Sequence, residues 1–345
     1  MTARHERADT VVVGAGIAGL TCARALANRG RPPVVFEHSG GVGGRCATRR
    51  VENQPIDHGA TFLHASDERL LAELRGVPEA TVLDGWPRTI EGEGAPCSPK
   101  AFAPREHRMA YAEGLTVFPK HLARGLDVRV RTPVASLAPG RGGLVVRARG
   151  ETSTLARAVV LAVPPPTALQ LLSPLADGGR EAAAVGALLA MIGSQACLTA
   201  LAGYVIDGPR PAWDVAYPDD STVVQMIAHD SSKRAAPRFT VLVIQARPCW
   251  SRVHLDTPEA VWVERLIQEA ARVVGQWAGR PSWVSGHRWR FARTDRGSEL
   301  SRPVALSMRG GGRVIVTGES FAPGGGIEAS WLAGHAAAAR LLEEE

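Results

Sequence analysis

Cysteine is scarce in this 345-residue sequence: there are five, Cys22, Cys46, Cys97, Cys197 and Cys249. The number is odd and no two stand as C-x-x-C. A zinc site and a disulfide framework are therefore not expected, no metal site is assigned, and a reducing cytoplasm suits the chain. Lysine is scarcer still, with only Lys100, Lys120 and Lys233. The formal charge of +6 is thus carried by arginine. The arginines are scattered rather than blocked and accompany no nucleic-acid module, so no nucleic-acid partner is expected. A mild positive field would still help to collect a phosphorylated small molecule. No apolar run approaches the roughly 18 residues of a membrane span. The opening nine residues are too mixed in charge for a signal peptide. Internal repeats and low-complexity segments are also missing.

What is present is a globular composition, 45% apolar and 21% charged, long enough for about two domains with real cores. Residues 10–13 read as a buried strand and 14–19 as a glycine turn. A helix is expected over 17–29, with Gly30 as its C-cap, and a second strand at 34–37. A helix is expected over Glu68 to Arg75. Alternation over 127–149 predicts three short strands in a meander. An apolar strand at 158–163 is stopped by Pro164, Pro165 and Pro166. Helices are expected at 181–192, 257–275 and 327–342. Thr257 would cap the second of these, with Pro258 at its first helical position. Strands are expected at 196–206, 222–228, 239–246, 283–291 and 313–317.

Gly14-Ala15-Gly16-Ile17-Ala18-Gly19 is G-x-G-x-x-G after a strand and at the start of a helix. The first glycine makes the turn, the second admits a pyrophosphate, and the third lets helix and strand pack closely. The helix N-terminus stabilises the negative charge. Glu37 ends the second strand, where a carboxylate bonds adenosine ribose hydroxyls and repels a 2′-phosphate. A second glycine segment, Gly40-Gly41-Val42-Gly43-Gly44-Arg45, follows. Its backbone can lie against a cofactor, and Arg45 supplies charge to the pyrophosphate. The sequence has one G-x-G-x-x-G and no C-x-x-x-x-C. A separate pyridine-nucleotide domain and disulfide-reductase chemistry are therefore not expected. Near the other end, Gly318-Glu319 and Gly324-Gly325-Gly326-Ile327 repeat the order strand, glycine turn, helix. Glu319 can bond ribityl hydroxyls or sit near phosphates. The helix N-terminus at Gly326-Ile327 can aim its dipole at the pyrimidine edge of a flavin.

These motifs, with Ile56-Asp57-His58-Gly59-Ala60 between them, make the chain resemble the flavin-containing amine oxidase superfamily, and within it the renalase family. The renalase-like pieces are Asp57 to Ala60, Val243 to Ala246 leading to Cys249-Trp250-Ser251, and His287 to Ala292. The resemblance runs over about residues 9–340. It implies an α/β fold, with a Rossmann-type FAD-binding domain (parallel sheet plus β-meander) and a second mixed α+β substrate domain. The FAD domain would be discontinuous, 1–65, 111–170 and 293–345, with the substrate domain at 66–110 and 171–292. FAD would be held non-covalently. Residues His38, His58, Gly59, Ala60 and Val134 join the motif residues as candidate cofactor contacts. The implied activity is oxidation of 2- and 6-dihydro isomers of NAD(P)H. Hydride passes to flavin N5, and oxygen is then reduced to hydrogen peroxide.

Amine oxidases of the superfamily carry an aromatic residue just before the final helix and a lysine near flavin N5. Here the first position is Gly326, and none of the three lysines lies in a matching motif. A glycine there leaves an open flavin face on which a nicotinamide can stack, which suits hydride transfer. Thr61 and Cys46 depart from the renalase pattern, which has Gln and Met there. His287, Trp289 and Phe291 alternate on a strand, and the first two, with His58, are the substrate-pocket candidates. A sheet face packed into the core accounts for that alternation equally well. The alternatives are an FAD-dependent amine oxidase or desaturase of a small metabolite, and a flavin-binding protein without turnover.

Overall fold

A computed structural model of the chain describes residues 6–92, 99–150, 153–178, 180–308 and 311–343. Cys97 lies outside them. The chain divides into two units, Met1–Gly44 with Phe118–Gly193 and Thr294–Glu345, and Arg45–Val117 with Ser194–Arg293.

In the first unit the valine run Val11 to Val13 occupies the end of strand Glu6–Val13 and is almost wholly buried. Such continuous apolar strands belong to sheets covered on both faces. This strand pairs in parallel with Ser153–Leu161 on one side and Val34–Phe36 on the other. Arg313–Val316 continues the parallel set beside the second half of Ser153–Leu161. Antiparallel Val304–Ser307 follows it, in a sheet of eight strands. The connection from strand Glu6–Val13 to Val34–Phe36 is the helix Ile17–Ala27, a parallel crossover of the expected kind. That helix stops at Ala27 with Asn28 as cap, and Gly30 turns the chain two residues later at φ +75°.

Three expectations shift here. The strand Asp127–Arg129 is not part of the meander; it pairs in parallel with Val34–Phe36 at the far edge of the sheet. Only Val134–Gly140 and Gly143–Ala148 run as a meander into Ser153–Leu161. Alternation marks a strand but does not choose its partner. The prolines after Leu161 also start something: Pro165 and Pro166 open a helix, Pro165–Leu172, where a missing N–H costs nothing. In the second unit, the long helix is Glu259–Val274, with Pro258 rather than Thr257 at the cap position.

The second unit has a six-stranded sheet in the order Trp283–Thr294, Ser194–Val205, Phe239–Ala246, Val224–His229, Val215–Ala216, Ile90–Glu91. Helix Glu259–Val274 packs Trp262, Leu266, Ile267 and Ala270 with Leu198, Ala200, Leu242 and Ile244 of the sheet. Burial of each large side chain contributes about 1.5–3 kcal/mol. A hairpin, Thr48–Val51 with Gln54–Asp57, and a three-stranded sheet complete the unit. The segment after Ala246 forms a short helix, Pro248–His254, that the sequence pattern did not announce. Among the described residues no helix is long and apolar enough to cross a membrane.

Candidate functional site

The glycine turn of the first unit is built as its spacing demands. Gly14 sits at φ +102°, and a Cβ there would lie 2.5 Å from the Ala162 carbonyl oxygen. A Cβ on Gly19 would lie 2.0 Å from the Gly14 carbonyl oxygen. A Cβ on Gly16 would meet no protein atom within 4 Å, so the space in front of the turn is open. Gly16 is also the N-cap and offers no side chain to the helix. The first helical bond runs from the Leu20 N–H to the Gly16 carbonyl. The N–H groups of Ile17, Ala18 and Gly19 therefore lack intrahelical acceptors and can serve an anion.

Glu37 is buried beside this turn. Its Oε2 accepts the Ala15 N–H at 2.7 Å, and its Oε1 accepts from the Ser39 N–H at 2.8 Å and the Ser39 hydroxyl. His38 next to it is exposed. The Gly43 N–H donates to the Ala15 carbonyl at 2.9 Å, which brings the second glycine segment against the first. Gly44 follows at φ +54° with its Cβ position 3.4 Å from the Gly16 Cα. Val134 is half-buried at the start of its strand.

In the same unit, Gly324 and Gly325 precede the final helix Gly326–Leu342 and Gly326 opens it, with positive φ at all three, +91°, +65° and +73°. Glu319 Oε1 accepts the Gly326 N–H at 2.9 Å, so the carboxylate caps that helix, and Gly318 precedes it at φ +148°. Ile327 is buried in the first turn. A Cβ on Gly334 would lie 2.5 Å from the Ala18 carbonyl oxygen, so the final helix lies directly on the opening one. Two helix N-termini, open space at Gly16 and a buried ribose-type carboxylate fit the anionic pyrophosphate and ribose of a flavin dinucleotide.

The second unit holds the segment Asp57 to Thr61 through several of its backbone groups and the Asp57 carboxylate. The His58 carbonyl accepts from Trp289 Nε1 at 3.0 Å, and the Gly59 carbonyl from Gln245 Nε2 at 2.6 Å. The Ala60 N–H donates to the Arg45 carbonyl at 2.8 Å, and the Thr61 carbonyl accepts from Lys233 Nζ at 2.9 Å. A Cβ on Gly59 would lie 2.2 Å from the Arg45 carbonyl oxygen and 2.9 Å from the Trp289 ring. Lys233 Nζ also lies 2.6 Å from both Asp57 Oδ2 and Asp230 Oδ1, and Arg234 bridges the same two carboxylates. Burial alone would raise the Asp57 carboxyl; Lys233 and then Arg234 overcome it and hold it below the usual range. None of these contacts was legible beforehand, because Lys233 is 176 residues from Asp57.

The candidates His58, His287 and Trp289 come together in this unit. His58 and His287 meet edge-on at 4.8 Å between ring centroids, and His287 and Trp289 lie 4.2 Å apart. Phe291 lies further along the same strand and is half-buried. Burial lowers the pKa of His58 to about 4, aided by His287 and by the Arg49 guanidinium. Burial and Arg49 lower His287 too. Both rings are therefore neutral at pH 7. The Nδ1 of His58 is buried with no hydrogen-bond partner of good geometry. The Arg45 guanidinium donates to the Ala292 carbonyl at 3.3 Å. Of the three lysines, Lys120 is exposed, Lys100 is 3.4 Å from Glu106, and Lys233 is fully engaged by two carboxylates. Cys46 and Thr61 are both buried, and Thr61 Oγ1 faces the Met226 sulfur at 4.0 Å. Among the described residues no group of three or more His, Cys, Asp or Glu is placed to hold a metal ion.

Residues 12–74 match the NAD(P)-binding Rossmann-like domain, and residues 97–342 match flavin containing amine oxidoreductase. The chain belongs to the flavin-containing amine oxidoreductase family, and FAD is its cofactor. Over 100 residues it is 38% identical to AofH of Mycobacterium tuberculosis, named as a flavin-containing monoamine oxidase. That stretch covers 28% of this chain and 22% of the other, so the chain spans about a fifth of that relative's length. It is 38% identical over 78 residues to (S)-6-hydroxynicotine oxidase of Paenarthrobacter nicotinovorans, covering 21% of this chain and 18% of the other. Among solved structures, putrescine oxidase bound to putrescine superposes with a TM-score of 0.72 at 15% identity, over 99% of this chain and 100% of that one. Cyclohexylamine oxidase from Brevibacterium oxydans gives 0.68 at 16%, over 98% and 99%. At such identities the likeness establishes the fold, a Rossmann-type FAD-binding domain with an amine-oxidase-type second part.

Proposed function

We propose that the protein is an FAD-dependent oxidase of dihydronicotinamide dinucleotides, taking the 2- and 6-dihydro isomers of NAD(P)H to NAD(P)⁺. The observation that carries this reading is the character of the ring face in the second unit. His58, His287 and Trp289 are neutral at pH 7, and the charge that acts on both imidazoles is the Arg49 cation. Such a surface repels a protonated amine and accepts a flat, uncharged dihydropyridine that carries phosphates elsewhere. Gly326 supports the same reading, because at φ +73° an aromatic residue in its place would be strained.

Bound FAD supplies a two-electron acceptor that oxygen can reoxidise, with hydrogen peroxide as the product. The chain's own residues bind and orient. The assigned flavin contacts are Gly14, Gly16, Ile17, Ala18, Gly19, Glu37, His38, Gly43, Gly44, Val134, Gly318, Glu319, Gly326 and Ile327 in the first unit. His287, Trp289 and His58 are assigned to the substrate ring. A dihydropyridine releases hydride without first losing a proton, so neither neutral histidine needs to act as a base.

The second reading is an amine oxidase, favoured by the names of the relatives and by putrescine in one similar structure. Anaerobic mixing of the yellow protein with 2- and 6-dihydro-NAD(P), followed by air, separates the two. Bleaching of the flavin band and peroxide on aeration are expected. A flavin that stays oxidised with these compounds but bleaches with mono- or polyamines replaces this reading with the second.

A further inference from the structure

Strand Trp283–Thr294 presents two different faces. Gly286, Arg288 and Arg290 point to the helix side: a Cβ on Gly286 would meet Trp262 at 2.5 Å and Glu259 at 2.7 Å. The Arg288 guanidinium lies over Trp262 and donates to the Thr257 carbonyl, and Arg290 pairs with Asp256. Ser285, His287 and Trp289 fall on the opposite face. The hairpin strand Thr48–Val51 brings Arg49 to this face, where its Nη1 donates to the Ser285 hydroxyl. Among the described residues Arg49 has no carboxylate partner, unlike Arg290. The acidic groups near the rings are already engaged. Asp57 is neutralised by Lys233 and Arg234, and Glu259 accepts the Gly286 N–H at 3.1 Å from the helix side. A half-buried guanidinium with a neutral partner, at one end of a row of rings, is a group prepared for an anion.

We propose that Arg49, oriented by Ser285, is the specificity-determining residue of the second unit, and that it binds a phosphate of the molecule whose ring lies on His287 and Trp289. This rests on the dinucleotide reading above and names what selects the dinucleotide from a bare dihydropyridine. Two residues along a strand advance about 7 Å, which is the kind of offset that separates a nicotinamide ring from its phosphate across one ribose. The planar fork of arginine suits phosphate oxygens in pairs, which a lysine cannot copy.

The test uses FAD-loaded protein under anaerobic conditions. Wild type, Arg49→Gln, Arg49→Lys and Ser285→Ala are each titrated with 6-dihydro-NAD and with the phosphate-free 6-dihydronicotinamide riboside. NAD⁺ binding is followed in parallel by calorimetry. For Arg49→Gln the dinucleotide should bind about 10- to 100-fold more weakly, the range of one hydrogen-bonded charge. The limiting rate of flavin reduction and the riboside affinity should stay near wild type. Arg49→Lys should recover part of the loss, and Ser285→Ala should show a smaller loss of the same kind. The salt dependence of dinucleotide binding should weaken in Arg49→Gln. Equal losses for riboside and dinucleotide, or no loss for either, overturn the assignment. If wild-type flavin is reduced by neither compound, the dinucleotide reading fails. The Arg49 site then stands only if NAD⁺ still binds in an Arg49-dependent way, and falls if it does not.

Discussion

His58 shows how a single buried residue couples the site to pH. Its pKa is about 4 in the folded chain against an ordinary 6.5, so the unfolded chain takes up the proton first as pH falls. The stability associated with neutral His58 is complete above about 6.5 and is lost progressively toward 4. Over the whole window this is on the order of 3 kcal/mol, and His287 acts in the same direction. Urea midpoints should therefore drop between pH 7.5 and 4.5, and His58→Gln should flatten that slope. An unchanged slope in the variant would show that His58 does not titrate in this range. Lys233 is the second residue of consequence. Lys233→Met leaves the Asp57 and Asp230 carboxylates with Arg234 as the cation they still share, and breaking a buried pair costs about 3–5 kcal/mol. Its urea midpoint at pH 7 should fall accordingly. At Gly16 the expectation is reversed. A Cβ there meets no protein atom, so Gly16→Ala should fold as wild type and yet lose flavin, seen as a colourless protein with an unchanged apo melting curve.

Two helices that touch at Gly334 govern the dinucleotide turn. The opening helix presents its bare N-terminus, and the final helix lies against it where Gly334 leaves no room for a Cβ beside the Ala18 carbonyl. The Thr317 hydroxyl donates to the Ala333 carbonyl at 2.8 Å and fixes the same stretch of the final helix to its preceding strand. Gly334→Val would push the two helices apart by the width of a branched side chain. The expected result is weaker FAD retention on dilution together with a melting point several degrees lower, since overpacking of this kind costs about 1–3 kcal/mol. Retention equal to wild type would show that the turn holds its shape without the final helix. Strand Trp283–Thr294 is the corresponding element of the second unit. Its alternation left open a core face or a binding face. Ser285, His287 and Trp289 turn out half-buried on the side of Arg49 and His58, while Gly286 and Arg288 meet helix Glu259–Val274 and Arg290 is exposed.

At the scale of the molecule, a cofactor that binds only the folded chain raises its stability by mass action. The melting point should climb with added FAD in wild type and stay flat in Gly16→Ala; a parallel rise in both would place the bound flavin away from the glycine turn. Motifs whose parts lie within a few tens of residues could be read directly. The G-x-G-x-x-G turn, Glu37, the second glycine pair and the final strand, turn and helix needed only local geometry, because a strand followed by a helix has few ways to turn. The partner of Asp127–Arg129, the helices at Pro165 and Pro248, and the clamp on Asp57 to Thr61 could not be read. Local pattern marks a strand, a cap or a charge without naming what it meets.

The sequence by itself determined the class of cofactor and the local shape of the glycine turn, because a tight turn, a close helix–strand approach and a helix N-terminus demand glycines at fixed spacing. It also determined that lysine would be scarce and that two glycine-led helices would frame the chain. Tertiary structure alone decided that Lys233 is consumed by Asp57 and Asp230, that Arg49 meets the Ser285 hydroxyl and, among the described residues, no carboxylate, and that His58 and His287 stay neutral. Charge state and pairing depend on burial and on neighbours brought from as far as 236 residues away, and that distance is closed only when the sheets form.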